Sequence, residues 1–253
     1  MRTTISAITG CAVLLAASTA FAQDQFATQG TLALSADRLF GLAITSNKTE
    51  DNQGFTDTVS TTNFTLMGAN GRLSGIGGPI PGLNTYAIPR LGIDYFVIDG
   101  LSLGGSFLFL MSSGDLESEG PGQPTVKDDL ASTTAFAIMP RIGYGVMFDE
   151  NIGIWPRAGI TYYHVSAEDE EIDPATNIAT KTEFTDAGTA FTIEVPFVLA
   201  PIPHVALTVG PTIEIPLGGT SEATVSSGGV SVSNEVDHTI FEFGIHVGLL
   251  GWI

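Results

Sequence analysis

The sequence predicts an all-β protein whose antiparallel strands run up and down and close into a transmembrane barrel, most simply of eight strands. Three observations lead there. Apolar residues recur with period two in stretch after stretch. The connections between those stretches alternate between long and short. Finally, 43% of the 253 residues are hydrophobic and only 14% charged, with 30 glycines, a composition suited to a surface partly out of water.

The clearest pair of strands lies between Tyr86 and Ser112. Leu91, Ile93, Tyr95 and Val97 alternate with Arg90, Gly92, Asp94 and Phe96, and beyond Asp99-Gly100 the odd positions Leu101, Leu103, Phe107 and Phe109 alternate with Ser102, Gly104, Ser106 and Leu108. Parity sets the turn. A three-residue loop Ile98-Asp99-Gly100, with Gly100 in the left-handed conformation, aligns Val97 with Leu101 and puts both apolar rows on one face. The other face holds Arg90, Asp94 and small residues. In a soluble sandwich the apolar face would be core; in a membrane barrel it faces lipid and the small, charged face lines the lumen.

The N-terminus, with Arg2, an apolar run to Ala17 and Ala20-Phe21-Ala22, reads as a secretory signal peptide over 1–22, too short to span a bilayer. The single cysteine, Cys11, lies inside it. Ile8-Thr9-Gly10-Cys11 has a faint likeness to a lipoprotein box, but the main apolar run follows the cysteine instead of preceding it. Export without cysteines fits a bacterial envelope better than a eukaryotic secretory route. Without Arg2 the chain keeps 9 − 1 = 8 basic residues against 27 acidic ones, so 8 − 27 = −19, a balance that disfavours nucleic acid as a partner.

In chain order, expected strands cover 30–45, 86–97, 101–112, 134–148, 152–166, 188–199, 204–216 and 238–252, eight in all. In the first, Leu32, Leu34, Phe40, Leu42 and Ile44 share one parity and Arg38 breaks it, which predicts a bulge near Ala36-Arg38. The polar and then Gly- and Pro-rich stretch that follows reads as one long loop, with an extra hairpin allowed by the apolar patch Phe64–Met67. The fourth and fifth strands keep their apolar rows together across Asp149-Glu150-Asn151, and the sixth and seventh across Ala200-Pro201-Ile202. The barrel domain is expected over 23–253, with long external loops at about 46–85, 113–133, 167–187 and 217–237. Short turns at one end, long loops at the other and an even strand count place both termini in the periplasm. About 9–11 tilted residues cross a bilayer, and each strand is long enough.

This pattern resembles the small eight-stranded outer-membrane barrels of the OmpA/OmpX type over essentially the whole mature chain. The last strand, HTIFEFGIHVGLLGWI, looks like that family's C-terminal assembly signal, departing from it in ending Trp252-Ile253. The resemblance implies outer-membrane lipids and the barrel-assembly machinery as partners, and a monomer.

By parity Arg90, Asp94, Arg141, Arg157, Glu194, Glu214, Glu242 and His246 point into the lumen. Eight strands leave an interior that side chains fill, so this set is expected to form a paired, structural charge network plugging the barrel. A gated path for small ions is the alternative. Pro140, Pro156, Pro196 and Pro211 each need a bulge or a strand end, since proline removes a ladder donor. Tyr95, Phe148, Tyr162, Tyr163 and Trp252 are candidates for aromatic belts, although parity turns Tyr163 inward.

His164-Val165-Ser166 is similar to the His-x-Ser pair of outer-membrane lipid A deacylases. Two residues apart on a strand, the imidazole and hydroxyl share a face, but Ala167 stands where that family has Asn, and only Glu168 and Glu183 are near to orient the base. Asp169, Glu170, Glu171 and Asp173 offer carboxylates to Ca²⁺ without matching any Ca²⁺-loop spacing. No catalytic residue, metal or cofactor is assigned. The expected function is structural or surface-interactive (envelope integrity or adhesion), with a narrow channel, the lipid hydrolase and a soluble periplasmic β-barrel as alternatives. What the loops bind externally is open, because loop chemistry varies freely on a fixed barrel.

Overall fold

The computed structural model describes residues 25–50, 56–66, 88–118, 126–173 and 178–253. The expected signal peptide and Cys11 lie outside them, as do most of the 46–85 stretch and part of 113–133. Twelve strands follow in order: β1 (Leu32–Glu50), β2 (Thr56–Leu66), β3 (Arg90–Ile98), β4 (Leu101–Ser118), β5 (Val126–Tyr144), β6 (Val146–Met147), β7 (Ile152–Ile154), β8 (Arg157–Asp173), β9 (Ile178–Glu194), β10 (Phe197–Ile202), β11 (Val205–Ser227) and β12 (Val230–Trp252). Eight of them, β1, β3, β4, β5, β8, β9, β11 and β12, pair antiparallel in that order, and β12 returns to β1, which closes the ring. Short β6, β7 and β10 continue β5, β8 and β9 at the periplasmic end. β2 folds back on the outer half of β1 as the extra hairpin the apolar patch allowed.

The period-two rows fall where parity put them. Leu91, Ile93, Leu103, Phe109, Ile142, Ile160, Leu207, Phe243 and Ile245 are exposed, whereas Phe96, Ser102, Thr161, Thr192 and Thr208 are buried. Polar and charged groups inside with a continuous apolar skin outside reverse the faces of a soluble sandwich, and only lipid satisfies that arrangement. The chain is an antiparallel outer-membrane barrel.

Turn chemistry explains the periplasmic end. Gly100 adopts φ 79°, as the parity of the flanking rows requires. Asp149 caps its turn by accepting from the amides of Asn151 and Ile152, both at 2.7 Å. The third turn differs from expectation: β10 continues through Ala200-Pro201-Ile202, and the chain reverses at Pro203-His204, with His204 at φ 64°. Of the four prolines, Pro156 and Pro196 fall between strands, and Pro140 and Pro211 lie inside β5 and β11. Three of them keep a place in the ladder through their carbonyls, which accept from Tyr144 (Pro156), Trp155 (Pro196) and Val195 (Pro211) at 2.8–2.9 Å.

The outer end departs further. Residues 167–173, 178–187, 217–227 and 230–237, within stretches expected as loops, are strand: β8 and β9 pair out to Asp173↔Ile178, and β11 and β12 out to Ser227↔Val230. Gly228 and Gly229 close the latter hairpin at φ 58° and 82°, a two-residue turn matched to strand twist. Above Tyr162, Phe191 and Phe241 the outward residues turn polar, so these four strands leave the bilayer and continue into water.

Candidate functional site

Inside the barrel, three layers are stacked. The periplasmic layer is aromatic. Phe26, on the segment preceding β1, packs edge-on against Phe96, Trp155 and Trp252, with ring centroids 5.1, 5.3 and 5.5 Å away. Trp252, a belt candidate, belongs here instead, because it sits opposite Ala33 on the inward parity of β12. The segment is held by backbone bonds from Gly30 to Phe96 and from Gly100 to Ala27, each 2.8 Å, and by Asp99 accepting from the Gln29 amide at 2.8 Å. It closes the periplasmic mouth.

The middle layer is ionic. All eight residues that parity pointed inward are buried there, none more than 6% exposed. Two more join them. Arg38 and Asp37 lie at the β1 bulge, where the register slips between Ala36 and Phe40 and Arg38 takes φ 61°. Two extra residues on β1 turn both side chains inward and leave the parity of the strand beyond unchanged. The parity break at Arg38 marked the bulge; that the bulge would deliver two charges to the lumen was not read from it.

Seven of the ten, Asp37, Arg38, Asp94, Arg141, Arg157, Glu194 and Glu214, are joined directly by ion pairs. Arg141 reaches Asp94 at 2.6 Å and Asp37 at 2.8 Å, and Arg157 reaches Asp37 at 3.1 Å and Glu194 at 2.8 Å. Arg38 bridges Glu194 at 2.9 Å and Glu214 at 2.6 Å, so Glu194 joins the two halves. Thr192 donates to Glu214, and Arg90 donates to Thr161 at 3.3 Å. Arg157 also lies 4.6 Å over the ring of Trp155, whose Nε1 donates to Ser102 at 3.1 Å, tying this layer to the aromatic one. Four guanidiniums (Arg38, Arg90, Arg141, Arg157) face five carboxylates (Asp37, Asp94, Glu194, Glu214, Glu242), so 4 − 5 = −1 with His246 neutral. Beside His246, a cavity of about 20 Å³ lies between Arg38, Arg157, Glu194, Thr208 and Thr212, room for about one water and no more.

The outer layer is apolar below, with Leu108, Ala135, Ala137, Val165 and Ala190 around Tyr163, which is buried as parity required. The remaining candidates sit elsewhere. His164 and Ser166 point outward on β8, and His164 faces the ring of Phe136 at 5.5 Å. Asp169 and Glu170 fall on opposite faces of the same strand. Among the described residues no cluster of three or more metal-binding side chains occurs.

No family model and no curated protein matches the chain. Among solved structures it is similar to the outer membrane protein OprG from Pseudomonas aeruginosa, at 10% identity over 89% of this chain and 97% of that one, with a TM-score of 0.47. It is also similar to the outer membrane protein AlkL (13% identity, 93% and 95% covered, TM-score 0.41). A third is Ail, the attachment invasion locus protein of Yersinia pestis (9%, 87% and 99%, TM-score 0.29).

Proposed function

We propose that this barrel is a closed, non-conducting outer-membrane protein whose work is done by the sheet it raises above the membrane, as a surface for contact with other polypeptides. The observation that carries this reading is the length of the outer strands. β11 and β12 each have 23 residues, roughly twice the 9–11 needed to cross. Beyond Asp237↔Glu50, β12 pairs only with β11 among the described residues, so Val230–Val236 offers an open sheet edge to the medium. An open edge is a template for an added strand, with Val230 and Val232 exposed to pack against it.

With Ser227 and Val230 flanking a two-residue turn, ladder alternation turns the amides of Ser231, Ser233 and Glu235 toward the open edge and those of Val232 and Asn234 toward β11. The test is binding of intact cells to host or matrix proteins, compared for the wild type, Ser233→Pro and a variant shortened from Ser221 to Glu235. Ser233→Pro removes an edge donor while sparing the hairpin, and loss of binding in both variants is expected. Undiminished binding by the shortened protein would overturn the reading.

The channel alternative meets the ionic layer, which leaves about one water's room beside His246. Purified barrel in planar bilayers is expected to give no conductance steps, and steps that change when Arg141 or Glu194 is neutralised would establish the channel instead.

A further inference from the structure

At the outer mouth of the lumen, four strands bring together a serine, a histidine, an aspartate and a tyrosine that the ionic layer does not use. Ser221 Oγ on β11 lies 3.2 Å from His238 Nδ1 on β12 and 2.9 Å from Asp186 Oδ1 on β9. His238 Nε2 lies 3.4 Å from Asp186 Oδ1 and 2.7 Å from the Tyr163 hydroxyl on β8, and that hydroxyl also contacts Asp186. His238 and Tyr163 are buried, whereas Ser221 is half-exposed at the mouth. The site is built around these rings. Gly188 and Gly219 are cross-strand partners, and a Cβ on the first would strike the Tyr163 ring, on the second the His238 ring.

We infer that Ser221, His238 and Asp186 form a nucleophilic acyl-transfer site, acting on uncharged or cationic carboxylic esters that arrive from the medium. A hydroxyl within reach of an imidazole whose other nitrogen is held by a carboxylate is the geometry of an activated serine, recognised by roles and not by chain order. Ser221 donates to Asp186 Oδ1 as the site stands. Once its hydroxyl proton turns to His238 Nδ1, Nε2 carries the ring proton and donates to the Tyr163 hydroxyl 2.7 Å away, with Asp186 at 3.4 Å, and these two fix the tautomer. Ser221 and His238 are the catalytic residues, and Asp186 and Tyr163 position the base. In the first step Ser221 Oγ bonds to the ester carbonyl carbon and its proton passes to His238 Nδ1. That proton leaves with the alcohol as the ester C–O bond breaks. Water then attacks the acyl-Ser221 ester by the same route, releasing the carboxylic acid and restoring the hydroxyl. The choice of ester follows from charge: the strands that carry the site also bear Glu168, Glu183, Glu222, Glu235 and Asp237 on their outward, exposed face, and the negative field of that sheet disfavours anionic substrates.

The test uses full-length barrel refolded in detergent, a fluorophosphonate probe with the modified residue identified by mass spectrometry, and hydrolysis of p-nitrophenyl butyrate. Phosphonylation at Ser221 is expected, absent in Ser221→Ala and slowed about 100-fold in His238→Gln, while both keep the mobility shift of a folded barrel on unboiled gels. Asp186→Asn is expected to slow labelling and move its pH midpoint, a shift that a purely structural aspartate would not produce. A folded wild-type barrel that is not phosphonylated at Ser221, or a His238→Gln variant that labels at the wild-type rate, would overturn the site. The wild-type result decides the matter even where a variant fails to fold.

Discussion

Two sets of ion pairs, one in the lumen and one on the raised sheet, have the same lengths and different surroundings. Arg157 meets Glu194 at 2.8 Å with both side chains only 4% exposed, whereas Lys181 meets Glu183 at 2.8 Å and Glu168 at 2.9 Å with exposures of 39–50%. Distance alone therefore predicts nothing about what either pair contributes. In water such a contact is worth little, while in the lumen each charge has lost its hydration and depends wholly on its partners. The raised sheet holds together through its backbone ladder, and its side chains are free to vary; the lumen is held by its side chains.

The sharpest way to break that contrast is Glu194→Gln. One neutralised carboxylate deprives Arg38, Arg141 and Arg157 of a shared partner at 2.9, 3.5 and 2.8 Å. Breaking a buried pair from one side costs about 3–5 kcal/mol, and that loss is expected in the urea unfolding of the barrel refolded in detergent. A change below about 1 kcal/mol would mean that water reaches the network and that the lumen is not a dry plug.

Phe26→Ala comes next. It empties the centre of the aromatic layer, and truncating a buried Phe costs about 3–5 kcal/mol; the lower end is expected because the segment ahead of β1 can settle into the gap. The ionic layer above remains, so the variant should still show no conductance in planar bilayers. Conductance steps in this variant would show that the aromatic layer, and not the ion pairs, seals the barrel.

How much of this was legible in the sequence depends on which surface a residue faces. Where one side of a strand meets lipid and the other a packed lumen, the alternation is strong, and Leu91 to Phe109 could be paired, faced and given their turn at Gly100 from parity alone. The inward charges followed from the same rule. The bulge at Arg38 was visible as a fault in the pattern, but its result, two charges delivered inward, depends on partners from distant strands. Trp252 was legible by parity and misplaced by analogy with aromatic belts. The raised sheet left no trace because a strand with water on both faces needs no apolar row. Hence 167–187 and 217–237 read as loops, and Ser221, Asp186 and His238 could not be seen to meet.

Lys181→Ala closes the comparison from the weak side. Its ammonium bonds to both Glu183 and Glu168, and those two hydrogen bonds push its pKa up from the ordinary lysine value. A raised lysine adds stability at pH values below its unfolded pKa and loses it only as pH climbs through the higher folded one, so any contribution is fully present at neutral pH. Even so, exposed pairs are screened by salt and strained by side-chain entropy, and Lys181 stands free of burial on a strand pair fixed by its backbone. The urea midpoint of Lys181→Ala is therefore expected to match the wild type at neutral pH and at both low and high salt. A midpoint that drops at low salt and recovers at high salt would show that Lys181 offsets real repulsion among the carboxylates of the raised sheet, and that its side chains, like those of the lumen, help to hold it.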